Sequence, residues 1–318
     1  FFFFFFADPF WQIADDDSGQ YTFDFSGSDD YGLILNSPLI NTGGPYSNRT
    51  IEVWFFAKNI NKTTPQVIYE EGGAVRGFNI YIQSGALYVG GWNENETSWQ
   101  GTFLSTSAIS DQRWHHVVAR LRNGTGSLQP DKFKGYLDGV EFGSGPGTEV
   151  YAHSGDICIA RNGSTKFHTG DDSSVGEYFE GMVEELRIWD NARTTNQIRQ
   201  NIHRELMNPE SQSTLIAYHK FNEYNGRFAW DHSESGHPVQ LYDISYSDWI
   251  PSTATIPYFT VQNGAWNNDA VWATGQFAPN TEWSRVMVDH DVQVTSEVIT
   301  GQLTVENNGS VSIEPFSA

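Results

Sequence analysis

The chain has 318 residues, with 39 acidic against 18 basic side chains and a formal net charge of -21 at pH 7. A surface this acidic repels nucleic acid and anionic membranes, which argues against a function based on phosphate contacts. It is compatible with divalent cations, with neutral glycans, or simply with solubility outside the cell. The single cysteine, Cys158, excludes an intrachain disulfide, and no stretch approaches the roughly 18 apolar residues of a membrane-spanning helix.

The chain begins with an acidic leading segment, residues 1–18, whose first six residues are all phenylalanine. Phe1–Phe6 lacks the basic start and the small-residue cleavage site of a signal peptide. Six consecutive phenylalanines at a free end would also promote aggregation. We interpret Phe1–Phe6 as placeholder residues or an artefact, and we expect the natural start of the protein to be missing.

Residues 19–250 are predicted to form an all-β domain. Aromatic residues make up 15% of the chain, there are 30 glycines, and helix signals are almost confined to one place. This composition is typical of many short strands joined by turns.

Residues 77–92 are predicted to form a β-hairpin, because two alternating runs flank Ser84-Gly85. One set of alternate residues is predicted to face the core: Phe78, Ile80, Ile82, Leu87 and Val89. Rings beside amides on the outer face would suit a sugar, whose C–H faces stack on rings while its hydroxyls bind amides. The predicted ligand-binding residues are Asn79, Tyr81, Gln83, Tyr88, Trp92 and, in the next loop, Trp99. The alternative is that packing between sheets buries these rings.

A further strand is predicted from Phe179 to Trp189, again from alternation. One predicted face carries Met182, Glu184, Leu186 and Ile188, and the opposite face carries Val183, Glu185, Arg187 and Trp189. After this strand, Thr194 and Gln197 fit a capping box at the start of an amphipathic helix. The predicted apolar stripe of the helix is Ile198, Ile202 and Leu206, and Asn208-Pro209 is predicted to end it.

The residue pattern of the sequence changes after a predicted linker, residues 251–257. Residues 258–318 contain two short β-rungs about 15 residues apart, separated by glycine and asparagine turns. This pattern predicts the start of a smaller β repeat domain, either a solenoid or a sandwich, and we expect the natural chain to continue beyond Ala318.

Several motifs in the first domain resemble the laminin-G-like, concanavalin-A-like jelly roll of secreted bacterial proteins. They occur in the family's order: FSGSDDYGLI (Phe25–Ile34), TIEVWF (Thr50–Phe55), RWHHVVARL (Arg113–Leu121), GYLDGVEFGSG (Gly135–Gly145), FEGMVEELRIW (Phe179–Trp189) and DHSESGH (Asp231–His237). The resemblance implies a two-sheet antiparallel jelly-roll sandwich with one short helix. Residues 258–318 similarly resemble repeat domains of giant surface proteins of the Bacteroidota.

Catalysis is not expected, although this fold also hosts β-glucanases. Those enzymes place two or three carboxylates on one strand face. No such triplet is present here, and the adjacent Glu184 and Glu185 are predicted to point to opposite faces. His115 and His116 lie in the W-H-H-V motif, where the family uses them structurally.

The resemblance also implies a structural calcium ion, because jelly rolls of this class often hold one near the paired termini of the sandwich. The candidate ligands are Asp29, Asp30 and Glu184, since Ca²⁺ prefers several oxygen atoms. Glu184 stands where the family usually has Asp, and its alternative partner is an Arg, a His or a Trp indole.

These observations predict a non-catalytic recognition or adhesion module, possible contacts with glycan, and a place within a large exported cell-surface protein. The resemblance implies a type IX secretion substrate involved in attachment or gliding, whose partners would be a glycan or surface component, the secretion machinery, or sister domains of the same chain. Two alternatives stay open: an accessory domain of a polysaccharide-degrading enzyme, and an architectural spacer in a fibrous protein.

Overall fold

The protein is seen here in a computed structural model that describes residues 21–155, 157–306 and 308–314. The leading segment 1–18, with Phe1–Phe6, lies outside the described residues. The chain divides into two compact units. Unit 1 runs to Arg193 and resumes over Asn208–Ser252, and unit 2 comprises Thr194–Met207 together with the chain from Thr253 onward. The helix that the sequence analysis placed inside the jelly roll therefore belongs to unit 2.

Unit 1 is built almost entirely of short strands. In chain order they are β1 (Tyr21–Ser26), β2 (Tyr31–Ile34), β3 (Arg49–Ala57), β4 (Gln66–Gly72), β5 (Arg76–Gln83), β6 (Ala86–Asn93), β7 (Trp99–Thr106), β8 (Trp114–Leu121), β9 (Gln129–Leu137), β10 (Val140–Gly147), β11 (Ile157–Ile159), β12 (Thr165–Phe167), β13 (Gly170–Asp172), β14 (Glu180–Trp189), β15 (Leu215–His219), β16 (Phe228–Ala229), β17 (Val239–Tyr242) and β18 (Trp249–Pro251). A single helical turn, α1 (Glu94–Thr97), and two 3₁₀ turns, Pro209–Ser211 and Tyr246–Asp248, complete the unit.

Two eight-stranded antiparallel sheets form the sandwich. The first sheet has the order β10-β9-β8-β3-β14-β1-β18, with β15 also paired to β14, and the second has the order β16-β17-β2-β11-β4-β5-β6-β7. Neighbours that are distant in sequence, such as β1 and β14 of the first sheet, are typical of a jelly roll. The predicted all-β, two-sheet antiparallel fold is confirmed.

A continuous apolar core lies between the two sheets. Its members come from alternate positions of both, for example Val53 and Phe55 of β3 against Ile80 and Val89 of β5 and β6. All five hairpin residues predicted to face the core belong to this cluster. The hairpin itself is also as predicted, with Gln83 opposite Ala86 and positive φ angles of 51° and 80° at Ser84 and Gly85. Two consecutive positive φ angles are the geometry of a type I′ turn, which suits the twist of the strands.

Strand β14 departs from the predicted alternation. Val183, Leu186 and Ile188 all belong to the core cluster, although Val183 and Leu186 are three residues apart. The pairing of β14 with β3 shifts register between Glu184 and Arg187, and Glu185 has a left-handed φ of 53°. A bulge of this kind inserts one residue and reverses the faces beyond it. The prediction that Val183 faces away from Leu186 and Ile188 is therefore wrong.

Unit 2 contains a short parallel β-solenoid. Its strands are β19 (Tyr258–Phe259), β20 (Gly264–Ala265), β21 (Thr281–Val288), β22 (Asp291–Val294), β23 (Thr300–Val305) and β24 (Ser310–Ile313). The sheets β19-β21-β23 and β20-β22-β24 are both parallel, so three successive rungs stack on one another. The core of the unit includes Tyr258, Trp266, Trp272, Val286 and Val292. Of the two predicted arrangements, the pairing is that of a solenoid.

The helix α2 (Thr195–Asn201) begins as predicted and ends early. Thr194 Oγ1 accepts a hydrogen bond from the Gln197 amide at 3.2 Å, and the Thr194 amide donates to Gln197 Oε1 at 2.9 Å, which completes the capping box. Ile198, Ile202 and Leu206 are buried, as predicted. The helix ends at Asn201, well before Pro209. At this end the Asn201 side chain donates a hydrogen bond to the Gln197 carbonyl. Such local side-chain bonds compete with the helical ladder.

Candidate functional site

The predicted glycan surface on β5 and β6 is covered by another part of the chain. The hairpin β12–β13 crosses it, and Asn79 donates to Thr165 Oγ1 at 3.1 Å and to the Lys166 carbonyl at 2.8 Å. The Phe167 ring packs edge-on against Tyr81 with 4.8 Å between centroids. Asn79 and Tyr81 are completely buried as a result. The expectation that they lie on an exposed face is wrong, because a hairpin that is remote in sequence occupies that face.

The other four predicted ligand-binding residues are dispersed. Trp92 is buried and donates its indole N–H to the Gly73 carbonyl at 2.8 Å. Trp99 is part of the apolar core and donates to Thr102 Oγ1. Tyr88 is half-buried and stacks on the His168 ring at 4.3 Å, while Gln83 is half-buried and donates to the Thr63 carbonyl. The six residues therefore do not form one exposed platform.

The predicted calcium ligands Asp29 and Asp30 lie in the turn between β1 and β2. Asp30 is buried, and its two carboxylate oxygens each accept from the Ser26 amide at 2.9 Å. Burial raises the pKa of Asp30, and the hydrogen bonds from Ser26 only partly oppose this effect. Asp29 is exposed and accepts from the Ser28 hydroxyl at 2.8 Å. Both carboxylates therefore already accept hydrogen bonds within the turn.

Glu184 lies on β14, opposite Trp54 of β3, and is buried. Within residues 21–155, 157–306 and 308–314, no three acidic, histidine or cysteine side chains come together in an arrangement that could hold a metal ion. The three candidate ligands are thus not assembled with one another. Ca²⁺ requires six or more oxygen atoms, so calcium binding stays a prediction.

A buried ion network that the sequence analysis did not foresee lies on the side of the first sheet away from the core. We define it by Glu52, His116, Glu185, Arg187, Trp189 and Tyr218. Arg187 forms an ion pair with Glu185 and lies 3.7 Å from Glu52 Oε1. Trp189 donates to Glu52 Oε1 at 2.8 Å, and the Tyr218 hydroxyl donates to Glu185 at 2.8 Å. All six residues are buried.

Electrostatics within the ion network keep the Glu52 carboxylate ionised. Burial alone would raise the pKa of Glu52, but His116, whose Nε2 lies 3.5 Å away, and the charge of Arg187 outweigh it and lower this pKa to about 2. Burial tends to lower the pKa of Arg187, and the neighbouring Glu185, Tyr218 and Glu52 raise it overall. Five of the six members come from the motifs T-I-E-x-W, W-H-H-V and E-L-R-I-W, so three of the motifs that suggested the family meet in one place, and Tyr218 of β15 joins them.

The bulge in β14 changes the direction in which its two adjacent glutamates, Glu184 and Glu185, point. Because Glu185 bonds to Arg187 and Tyr218, and Glu184 lies opposite Trp54, both glutamates lie on the side away from the core cluster. The expectation that they point to opposite faces is wrong. Both carboxylates are nevertheless buried, at 4% and 2% exposure, and Glu185 is engaged by an arginine and a tyrosine. This arrangement is that of a structural ion network and offers no open face to a glycosidic bond.

An open cleft lies where several loops of unit 1 meet. It has a volume of about 460 Å³ and is lined by Thr42, Gly73–Arg76 and Ala152–Ser154; we call it the rim cleft. Arg76 Nη1 donates to the Ala152 carbonyl at 2.8 Å and ties two of its walls together. The third wall is tied in by the His153 amide, which donates to the Asn41 carbonyl at 2.8 Å.

The sequence fragment GGAVRG explains the local geometry of the rim cleft. Gly72 has a φ of 111°, and a Cβ atom there would lie 2.1 Å from the Arg76 carbonyl oxygen. Only glycine permits this tight turn between β4 and β5. Val75, at the tip of the turn, is 38% exposed. The glycine pair Gly72-Gly73 between two strands indicates a loop at this position in the sequence. The loop at 152–154, which forms another wall of the cleft, is far away in the sequence, so a local pattern could not indicate that the two loops meet.

Behind the rim cleft, the His153 ring lies next to the buried carboxylate of Glu71. His153 Nδ1 hydrogen-bonds the Tyr151 carbonyl at 2.9 Å, so Nδ1 carries the proton. Its Nε2 lies 3.8 Å from Glu71 Oε1, and Glu71 Oε2 accepts from the Tyr69 hydroxyl at 2.7 Å. Trp92 supports the opposite wall through its bond to the Gly73 carbonyl. The cleft thus combines exposed loop backbone with polar side chains held by a rigid second layer.

Comparison with known proteins identifies the family. The model of the concanavalin A-like lectin/glucanases superfamily matches residues 26–199, which is more than half of the chain. The chain belongs to this superfamily. Laminin G-like domains of this kind are typically extracellular. A search of the curated proteins found no match.

Solved structures are similar to this chain at low sequence identity. A putative carbohydrate binding protein from Bacteroides ovatus matches with a TM-score of 0.50 and 18% identity, over 74% of this chain and 61% of that one. A heptameric SAP-like pentraxin from Limulus polyphemus matches with a TM-score of 0.41 and 15% identity, over 57% and 81%. Domains LG4-5 of the mouse laminin alpha1 chain match with a TM-score of 0.36 and 16% identity, over 55% and 44%.

The first of these comparisons bears on fold alone, and the chain spans about 61% of the length of that structure. Among the described residues, no helix has the length and apolar character needed to cross a membrane.

Proposed function

We propose that the sandwich is a non-catalytic glycan-recognition module of an exported cell-surface protein, and that the rim cleft is its binding site. The observation that carries the proposal is the cleft of about 460 Å³, bordered by Arg76, His153 and exposed loop backbone. Sugar sites need concavity and several fixed polar groups, and the rim cleft offers both. The superfamily includes lectins, and the Bacteroides ovatus protein of similar fold is named for carbohydrate binding.

The chemistry of the rim cleft suits a neutral sugar. The Arg76 guanidinium and the Ser154 and Thr42 hydroxyls can bind hydroxyl groups. Because the hairpin β12–β13 covers the outer face of β5 and β6, the loops are the accessible surface on which a sugar can bind. Attachment to a surface, and export by a type IX pathway, remain part of the proposal and rest on the resemblance of the motifs.

The experiment has two stages. The full chain is first screened on a glycan array to obtain a ligand. Ala152→Trp then fills the cleft from an exposed position, and Val140→Trp is the matched control, because Val140 is 52% exposed on the β9–β10 hairpin. We expect Ala152→Trp to weaken binding at least tenfold and Val140→Trp to leave it unchanged. Equal affinity of both variants and the unmodified protein would exclude the rim cleft as the site.

An architectural spacer is the second candidate, and the stacked rungs of unit 2 favour it. Parallel rungs extend a chain in one direction, and Leu303, Val305 and Ile313 of the last described rung are exposed. A spacer would show no binding on the array, whereas a recognition module would. The accessory-domain alternative predicts binding to the polysaccharide that a neighbouring enzyme degrades.

A further inference from the structure

Unit 2 has a polar cleft of its own, between α2 and the outer face of β21. Its volume is about 360 Å³, and it is lined by Asn196, Arg199, Gln200, Glu282, Trp283, Arg285 and Gly301; we call it the helix–sheet cleft. It lies outside the jelly roll and shares no residue with the rim cleft. Its volume falls within the range of small-molecule sites.

The alternation of side chains along β21 puts Trp283 and Arg285 on the face that borders this cleft. Ser284, Val286 and Val288 are buried in unit 2, so Trp283 and Arg285 point to the opposite, outer face of the strand. Arg285 Nη1 donates to Gln302 Oε1 on the neighbouring strand β23. This contact restrains the guanidinium, so less side-chain entropy is lost when it binds a ligand.

The helix α2 supplies the opposite wall. Ile198 faces the interior of the unit, whereas Asn196, Arg199 and Gln200 share the other side, because residues three and four apart are neighbours on a helix. The Arg199 guanidinium lies 4.1 Å from the centroid of the Trp283 ring. An aromatic ring, two amides and two guanidiniums therefore border one cavity.

The charge of the helix–sheet cleft is opposite to that of the chain. Its lining carries two arginines and one acid, Glu282, whereas the whole chain has 39 acidic and 18 basic residues. A guanidinium suits a planar carboxylate, which arginine binds through two parallel hydrogen bonds. The indole suits the apolar face of a sugar ring, and the amides suit its hydroxyls.

We propose that the helix–sheet cleft binds a carboxylated sugar, a hexuronate unit of an oligosaccharide. Arg285 pairs with the carboxylate, Trp283 contacts the ring, and Asn196 and Gln200 bind the hydroxyls. Long polyanions such as nucleic acids are disfavoured, because they would extend from the cleft over a surface of net charge -21. A short uronate oligosaccharide meets mainly the local positive charge, since more distant charges are screened beyond about 10 Å at 0.1 M salt.

The test is calorimetric titration of the full chain with trigalacturonic acid, and with galactotriose as the neutral counterpart, in 0.1 M salt. We expect trigalacturonic acid to bind at least tenfold more tightly than galactotriose. Arg285→Gln should weaken its binding at least tenfold, and Arg285→Lys, which keeps the charge and loses the bidentate geometry, should fall between. The control Arg122→Gln removes an exposed arginine of unit 1 and should change nothing.

Absence of trigalacturonic acid binding to the unmodified chain would overturn the proposal, and so would equal losses in Arg285→Gln and Arg122→Gln. Circular dichroism of each variant identifies any that fails to fold, in which case Trp283→Phe, which retains an aromatic ring and removes the indole, takes its place. Its affinity should fall at least threefold, and an unchanged affinity would also overturn the proposal. Ala152→Trp should leave uronate binding intact, so failure here is distinguishable from failure of the rim cleft.

Discussion

A buried histidine is expected to make the sandwich sensitive to mild acid. His219 at the end of β15 is fully buried opposite Leu186 of the core strand β14, near Phe221. Burial lowers the pKa of His219 from 6.5 to about 4, although the charge of Asp231 partly opposes this shift. The ring is therefore neutral in the folded protein at neutral pH.

The direction of the effect follows from proton binding. Between pH 6.5 and 4, the unfolded chain binds a proton at His219 and the folded protein does not, so the free energy of unfolding falls as the pH falls. The stabilisation is fully present above pH 6.5 and is lost as the pH approaches 4. The lowered pKa corresponds to a total loss of about 3 kcal/mol, most of which has occurred by about pH 4.5.

Urea unfolding at several pH values between about 7.5 and 4.5 measures this effect in the full chain. His219→Leu cannot bind the proton and has a side chain of similar size, so its unfolding free energy should fall by about 2.5 kcal/mol less than that of the unmodified protein over this range. His168→Gln removes an exposed histidine and should retain the full acid sensitivity, because His219 is still present. Identical pH dependence of the unmodified protein and His219→Leu would refute the reasoning.

Three further predictions concern stability. Arg187→Met should lower the free energy of unfolding by about 3–5 kcal/mol in urea unfolding, because it leaves the buried carboxylates of Glu52 and Glu185 without the positive charge of Arg187. A loss under about 1 kcal/mol would contradict the stabilising role of the ion network. Thr194→Ala should cost about 1 kcal/mol through loss of the cap and increase amide exchange in α2, and unchanged exchange would show that the cap contributes little. If Asp29 and Asp30 bind calcium, a chelator should lower the melting temperature of the unmodified protein and not of Asp30→Asn; equal melting curves with and without chelator would remove the calcium prediction.

The parts of the fold set by local periodicity could be predicted from the sequence. The β5–β6 hairpin follows from alternation around Ser84-Gly85, and the start of α2 follows from the Thr194–Gln197 box. Both depend on residues close in the chain, whose preferences agree with the final structure. The family motifs were equally readable, because each is one short contiguous stretch of the sequence.

The parts set by distant contacts could not be predicted. The hairpin β12–β13 covers Asn79 and Tyr81 from about 86 residues away in sequence, and nothing in the alternation of β5 indicates a cover. The left-handed Glu185 changes the facing of β14 by one residue, and a one-residue change exchanges the faces of a strand. For the same reason the rim cleft, which joins residues 73–76 to 152–154, was not found from local pattern.

Nuclear magnetic resonance mapping of the glycan selected on the array tests the central proposal most directly. Titration of the isotope-labelled chain should shift the backbone amide signals of Gly73–Arg76 and Ala152–Ser154, because these residues line the rim cleft. The signals of Gln83 and Tyr88 should stay in place. Shifts confined to residues 77–93, or to other residues of unit 1 outside the rim cleft, would contradict the assignment of glycan recognition to the rim cleft.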